Sequence, residues 1–213
     1  MFRFKKLQEP EAAPEESVQE VIIDKNDDLR IFGLYGELDE TKAAHVIVSM
    51  IDLAETAAVR LTEDPNDPEA EVIEADLPME FLISTPGGSA DDMFAIYDVM
   101  RVCKEKCDIV TYGLGKVMSA GVLLLASGTK GKRKIGKNCR VMIHSVIGGS
   151  AGSFHNLQNE MSEIKYIQSA YIKALSEETN MTETKLKRML NKKINIYLSA
   201  EEAVELGIAD IIV

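Results

Sequence analysis

The sequence predicts an α/β fold built on a largely parallel sheet. Two observations carry this. Strand-like and helix-like apolar patterns alternate from Met79 to His144, in the order strand, helix, strand, helix, strand. Glycine-rich segments, Pro86-Gly87-Gly88 and Gly113-Leu114-Gly115, sit where strand-like runs end. Such alternation is the pattern of parallel strands joined by right-handed helical crossovers. A chain of 213 residues, 46% hydrophobic and 28% charged, is the size and composition of one soluble domain with a substantial core.

Each element follows from its local pattern. Residues 1 to 20 are rich in Glu, Pro and Ala without apolar periodicity, and are read as a mobile acidic segment preceding a domain over 21–213. Val21 to Ile23 reads as a short strand, and Arg30 to Leu34 as a strand running into a turn at Tyr35-Gly36. Thr41 to Leu61 reads as a helix capped by Asp39, with Val46, Met50 and Leu53 at helical spacing. The acidic stretch Thr62 to Asp76, with Pro65 and Pro68, reads as an exposed, disordered or partner-facing insertion.

Met79 to Ile83 is the next strand. The helix after Ser89 places Met93, Ile96, Tyr97, Met100 and Cys103 on one face. Asp108 to Tyr112 is a strand, and a Gly-rich turn leads through Ser119 into an apolar helix. Lys132 to Ile135 and Val141 to His144 are strands around a turn. Phe154 to Thr179 is a long polar helix with Leu157, Met161, Ile164, Ile167 and Tyr171 as its apolar seam. Helices at Glu183 to Asn191 and Ala200 to Leu206 and a strand at Ala209 to Val213 complete the chain.

Composition excludes several functions. A net charge of −11 argues against broad phosphate-backbone binding, and the basic cluster Lys130 to Lys137 reads as a solvated turn. No apolar run reaches the length of a membrane span, and no signal core follows the N-terminus, so a cytoplasmic location without membrane contact is expected. Cys103, Cys107 and Cys139 lack zinc-site spacing and read as buried hydrophobes, so no metal and no cofactor are expected.

Three segments point to chemistry. Ser119 stands where a strand and a Gly-rich turn enter a buried helix, with the N–H of Ala120 beside it as a candidate oxyanion donor. Gly87 and Gly88 end a strand with no side chains to cover their N–H groups. His144 ends another strand, and an imidazole can act as a general base. Each has a plainer reading: a helix-capping serine, a tight turn, and a histidine satisfied by a local carbonyl.

Together these segments resemble the proteolytic subunit of Clp proteases (ClpP). Gly115-Lys116-Val117-Met118-Ser119-Ala120-Gly121 resembles its nucleophile segment, and Val141-Met142-Ile143-His144 its histidine segment, with Ser119 and His144 25 positions apart. Ser84-Thr85-Pro86-Gly87-Gly88-Ser89 resembles the oxyanion segment, and Ser127 to Arg133 the turn between the catalytic segments. Tyr197 to Ala203 and Gly207 to Asp210 resemble the C-terminal end. The resemblance spans residues 28–213. It implies the crotonase-like α/β fold of repeated β-β-α units as a single domain. A long handle helix would occupy a handle region at about 145–180. It implies heptameric rings stacked as a tetradecamer, an AAA+ unfoldase partner, and hydrolysis of unfolded polypeptide without cofactors. Ser119 would be the nucleophile and His144 its base, with Gly87, Gly88 and Ala120 around the oxyanion. Gly148, Gly149 and Gly152 resemble the strand that pairs with bound peptide.

The chain also departs from that pattern. The family's third catalytic residue is an aspartate four positions before the serine of the C-terminal Leu-Ser motif. Counting back from Ser199 gives Asn195. Lys193-Ile194 replaces an acidic–arginine pair used between rings, and Ser145-Val146-Ile147 replaces a Gln-Pro pair. These differences suggest a divergent branch, such as a viral or accessory version. Two other readings stay open: a weakly active or inactive structural ring subunit, and another crotonase-like acyl enzyme or a Ser-Lys peptidase using Lys116.

Overall fold

The computed structural model describes residues 29–62, 72–192 and 194–213. The acidic N-terminal segment, the Val21 to Ile23 strand, the middle of the acidic insertion and Lys193 lie outside the described residues. The elements are β1 (Ile31–Tyr35), α1 (Glu40–Glu55), β2 (Ala58–Thr62), β3 (Val72–Asp76), β4 (Met79–Thr85) and α2 (Ala90–Cys103). Then come β5 (Ile109–Met118), α3 (Ala120–Ala126), β6 (Lys134–Ile135), β7 (Arg140–Ile143), α4 (Phe154–Glu178), α5 (Glu183–Leu190), β8 (Ile196–Leu198), α6 (Ala200–Glu205) and β9 (Ile211–Ile212).

The main sheet has seven strands, in the order β1-β4-β5-β6-β9 with β7 branching from β5 and β8 pairing β7. Every pairing is parallel except β7 with β8, as the alternation of elements predicts. β4 lies between two partners and buries Met79, Phe81, Ile83 and Thr85, the alternate residues of its seven. Helix α1 packs on β1 and α2, and α3 packs on β4, β5 and α4. All seven residues of α3 are buried, which explains why it is apolar all round. β2 and β3 form a two-stranded sheet of their own, with Arg60 Nε 3.3 Å from Glu74 Oε1.

Several expectations change. The first helix stops at Glu55, short of Leu61, and the chain enters β2. Its end is fixed by Arg30, whose guanidinium donates to the carbonyls of Thr56 (3.2 Å) and Leu53 and to Pro78 O (3.1 Å). A cation among the last carbonyls of a helix satisfies orphan acceptors and matches the dipole. The acidic insertion ends as strand β3. The strand expected over Asp108 to Tyr112 continues to Met118, so the Gly113 to Gly115 turn lies inside β5. Gly113 is needed there because a Cβ would sit 2.9 Å from Leu125 Cδ2 of α3.

That long strand creates the site. Its register against β4 jumps from Ile83↔Gly113 to Thr85↔Val117, so β5 bulges at Gly115, where φ is +65°. Before the bulge β5 pairs with β6, and after it with β7. The sheet forks, and the ends of β4, β5 and β7 converge.

Candidate active site

Ser119 follows β5 and opens α3 with φ 54° and ψ −120°, the one non-glycine residue with positive φ among the described residues. Its backbone is pinned on both sides. The N–H donates to Met142 O of β7 (2.8 Å), and the carbonyl accepts from Val122 N–H (3.0 Å) and Tyr171 Oη (2.9 Å). Its hydroxyl makes no capping bond, whereas Asp39, Ser89, Ser153, Thr182 and Ser199 all cap their helices through the side chain. The plainer reading of Ser119 as an N-cap therefore fails: the half-buried hydroxyl is held off its own helix by a backbone conformation that costs about 1–3 kcal/mol.

The two glycines play different parts. Gly87 N–H donates to Thr85 Oγ1 (3.0 Å) and its carbonyl accepts from Leu38 N–H (2.8 Å). With its N–H committed, Gly87 is not free to donate to an oxyanion, contrary to expectation. What Gly87 supplies is room, since a Cβ there would lie 2.6 Å from Ser119 Cβ and 3.1 Å from Oγ. The flanking Ser89 N–H donates to Leu38 O (3.1 Å), which clamps Gly88 beside Leu38. Gly88 and Ala120 keep N–H groups without a protein acceptor among the described residues.

His144 lies one residue past β7, half-buried. Its Nδ1 sits 2.5 Å from Ser145 O. A carbonyl only accepts, so the proton of a neutral ring resides on Nδ1 and Nε2 is left as the basic nitrogen. Ser119, His144, Gly87, Gly88 and Ala120 line one cleft of about 500 Å³. No hydrogen bond joins the Ser119 hydroxyl to the His144 ring among the described residues. Asn195 comes alongside through the antiparallel β7–β8 pairing. The pairs Val141↔Leu198, Met142↔Tyr197 and Ile143↔Ile196, carried one step further, set His144 opposite Asn195. Asn195 is exposed and does not take the Nδ1 bond, which Ser145 holds.

Gly148, Gly149 and Gly152 fall outside the cleft, in an exposed segment that forms no strand. Gly148 packs on α4, where a Cβ would meet Ile164 Cδ1 at 2.7 Å, and nothing lies within 4 Å of the position for Gly149. Lys116 is exposed on β5 opposite Arg140 and does not line the cleft, which removes it as the base of a Ser-Lys pair. Met93, Val146, Ile147, Ile167, Tyr171 and Glu37 also line the cleft, and none of them stands out as a site residue in the sequence. Met93, Ile167 and Tyr171 belong to apolar helix faces, and that pattern says core, not cleft.

The cysteines behave as read: Cys103, Cys107 and Cys139 are free and buried, and burial pushes the Cys139 thiol up to about 11. No group of three or more His, Cys, Asp or Glu side chains suited to a metal occurs among the described residues. Nor is any helix among them long and apolar enough to cross a membrane.

A forked parallel sheet thus brings an uncapped serine, a histidine and free backbone N–H groups to one cleft. The chain belongs to the Clp protease family, whose sequence model matches residues 69–213. It is 38% identical over 144 residues to the ATP-dependent Clp protease proteolytic subunit 1 of Prochlorococcus marinus subsp. pastoris, covering 68% of this chain and 70% of that relative.

Proposed function

We propose that this chain is the serine endopeptidase subunit of an ATP-dependent compartmental protease, with Ser119 as nucleophile and His144 as general base. One observation carries the reading: the only non-glycine residue held at positive φ among the described residues is a serine whose hydroxyl is withheld from helix capping and opens into the cleft with His144.

The steps follow from the groups present. Ser119 Oγ attacks the scissile carbonyl carbon while its proton passes to His144 Nε2. The developing oxyanion accepts from the N–H groups of Gly88 and Ala120. The C–N bond then breaks, and His144 returns the proton to the leaving amine. Water attacks the acyl-enzyme by the reverse route, its proton going to His144 and then to Ser119 Oγ. The imidazole must turn toward Ser119 for the first step, and Asn195, opposite it in register, orients it without adding charge.

The assembly proposed is a homo-oligomer of heptameric rings stacked as a tetradecamer, in the cytoplasm, fed with unfolded polypeptide by an AAA+ unfoldase. Two things support it: the relative is named as an ATP-dependent proteolytic subunit, and the N-terminal half of α4 exposes Phe154, Leu157 and Met161. A second reading, a ring subunit of little or no activity, draws on the Asn195 side chain and on the Ser145 bond that holds the His144 ring. Labelling by a fluorophosphonate tests the first. The natural chain labels at Ser119, while Ser119→Ala does not label and His144→Ala does so at least 100-fold more slowly. An assembled natural protein that resists the probe refutes it.

A further inference from the structure

Helix α4 does more than wall the cleft. Tyr171 is 5% exposed, and its hydroxyl donates to the carbonyl of Ser119 at 2.9 Å. Three positions earlier, on the same face, Gln168 Oε1 accepts from Val146 N–H at 3.0 Å. Val146 is two residues past His144. One helix face thus grips both segments of the site, the turn bearing the serine and the turn bearing the histidine, although neither belongs to α4.

The need for such a grip is physical. Ser119 holds a backbone conformation that side-chain-bearing residues avoid, and it persists only where the surroundings over-determine it. Of its three backbone hydrogen bonds, Val122 N–H belongs to the helix Ser119 itself opens and Met142 O to the neighbouring strand. Among the described residues, Tyr171 supplies the one anchor to the Ser119 backbone from outside the sheet and α3. Burial pushes the Tyr171 phenol well up, so it stays a protonated donor at neutral pH.

We infer that Tyr171 and Gln168 are positioning residues that hold the Ser119 and His144 turns in their reactive relation. This rests on the reading of Ser119 and His144 as nucleophile and base. Its core, that Tyr171 fixes the Ser119 backbone, is testable without it.

Tyr171→Phe removes the hydroxyl and keeps the ring, and Gln168→Leu removes the acceptor. Each variant of the full chain is compared with the natural protein by thermal melting, hydrogen exchange over residues 117–123, fluorophosphonate labelling, and kcat and KM on a fluorogenic peptide. For Tyr171→Phe the expectation is a melt within a few degrees, faster exchange at Ser119 and Val122, and KM within about twofold. Labelling and kcat fall together by about 10- to 100-fold, the scale of a misplacement near 1 Å. Gln168→Leu shows a similar kcat loss, and the double variant loses less than the product of the singles, because both act on one geometry. Unchanged exchange in Tyr171→Phe overturns the inference whatever the activity. Natural rates of labelling and turnover in Tyr171→Phe overturn it too. A natural chain that never labels, with exchange faster in Tyr171→Phe, sinks the peptidase reading and leaves the tyrosine anchor standing.

Discussion

Replacing Asp210 by asparagine tests what holds the helices behind the cleft. The Arg133 guanidinium is 3% exposed and donates to both Asp210 carboxylate oxygens, at 2.8 and 2.5 Å, and to the carbonyls of Ala126 (3.0 Å) and Glu178 (2.7 Å). Those carbonyls close α3 and α4, the two helices that meet around Ser119. Asp210 also accepts from the N–H groups of Gly131 (2.8 Å) and Arg133 (3.1 Å). Asparagine keeps the volume but leaves a buried cation without its counter-charge, and it turns an NH2 toward groups that only donate. Breaking a buried ion pair costs about 3–5 kcal/mol. The Asp210 side chain is 22% exposed, so the low end, about 3 kcal/mol, is expected. For a chain of this size each kcal/mol moves Tm by about 2–4 °C, giving a fall of about 6–12 °C at pH 7.

The pH dependence is a stricter test. The hydrogen bond from Arg133 holds the Asp210 carboxyl below the usual carboxylate range. A group whose folded pKa is depressed stabilises fully above its unfolded value, about 3.9, and loses that contribution as pH falls through the folded value. The Tm gap between natural and Asp210→Asn protein is therefore full at pH 7 and narrows below about pH 4. Circular dichroism melts at both pH values measure it. A gap under about 2 °C at neutral pH, or one as wide at pH 3 as at pH 7, refutes the argument.

Gly88→Ala is expected to disable the site. Its Cβ would lie 2.0 Å from Leu38 O, at φ +156°, so the Leu38 clamp must open. Backbone strain and overpacking together amount to about 2–5 kcal/mol, and the displaced N–H costs about 100-fold in kcat. Urea unfolding and peptide hydrolysis read both effects, and a variant with natural stability would contradict the clamp. Asn195→Asp should raise kcat about 5- to 100-fold. That corresponds to about 1–2.7 kcal/mol, the scale of a solvent-screened attraction between a carboxylate and an imidazolium. Peptidase activity unmoved by this change would favour the structural-subunit reading.

What the sequence disclosed, and what it hid, follows from where each feature takes its cause. Ser119, His144 and the Pro86-Gly87-Gly88 run are local: a glycine-rich junction or a strand end shows itself in a few residues. The first helix ends earlier than its pattern suggests because Arg30, just before β1, binds its last carbonyls, a contact that no local pattern shows. β8 was missed because three residues carry no periodicity and form a strand only against β7. Separating Gly87 from Gly88 needed the Thr85 hydroxyl two residues away, which no pattern of glycines announces. Tyr171 was visible as part of an apolar seam, but the bond from its hydroxyl to the Ser119 carbonyl is a tertiary fact. Asn195 was reached by counting from a motif, and only the β7–β8 register says what it faces.

The idle hydroxyl of Ser119 sets two demands against each other at a single position. A serine that capped α3 would typically add about 1 kcal/mol, yet that same bond would engage a lone pair of the oxygen proposed to attack. The chain forgoes the cap, so the helix depends on its surroundings from its first turn onward: all seven of its residues are buried. On the proposed reading of Ser119, reactivity is a local deficit of stability maintained by the packing around it.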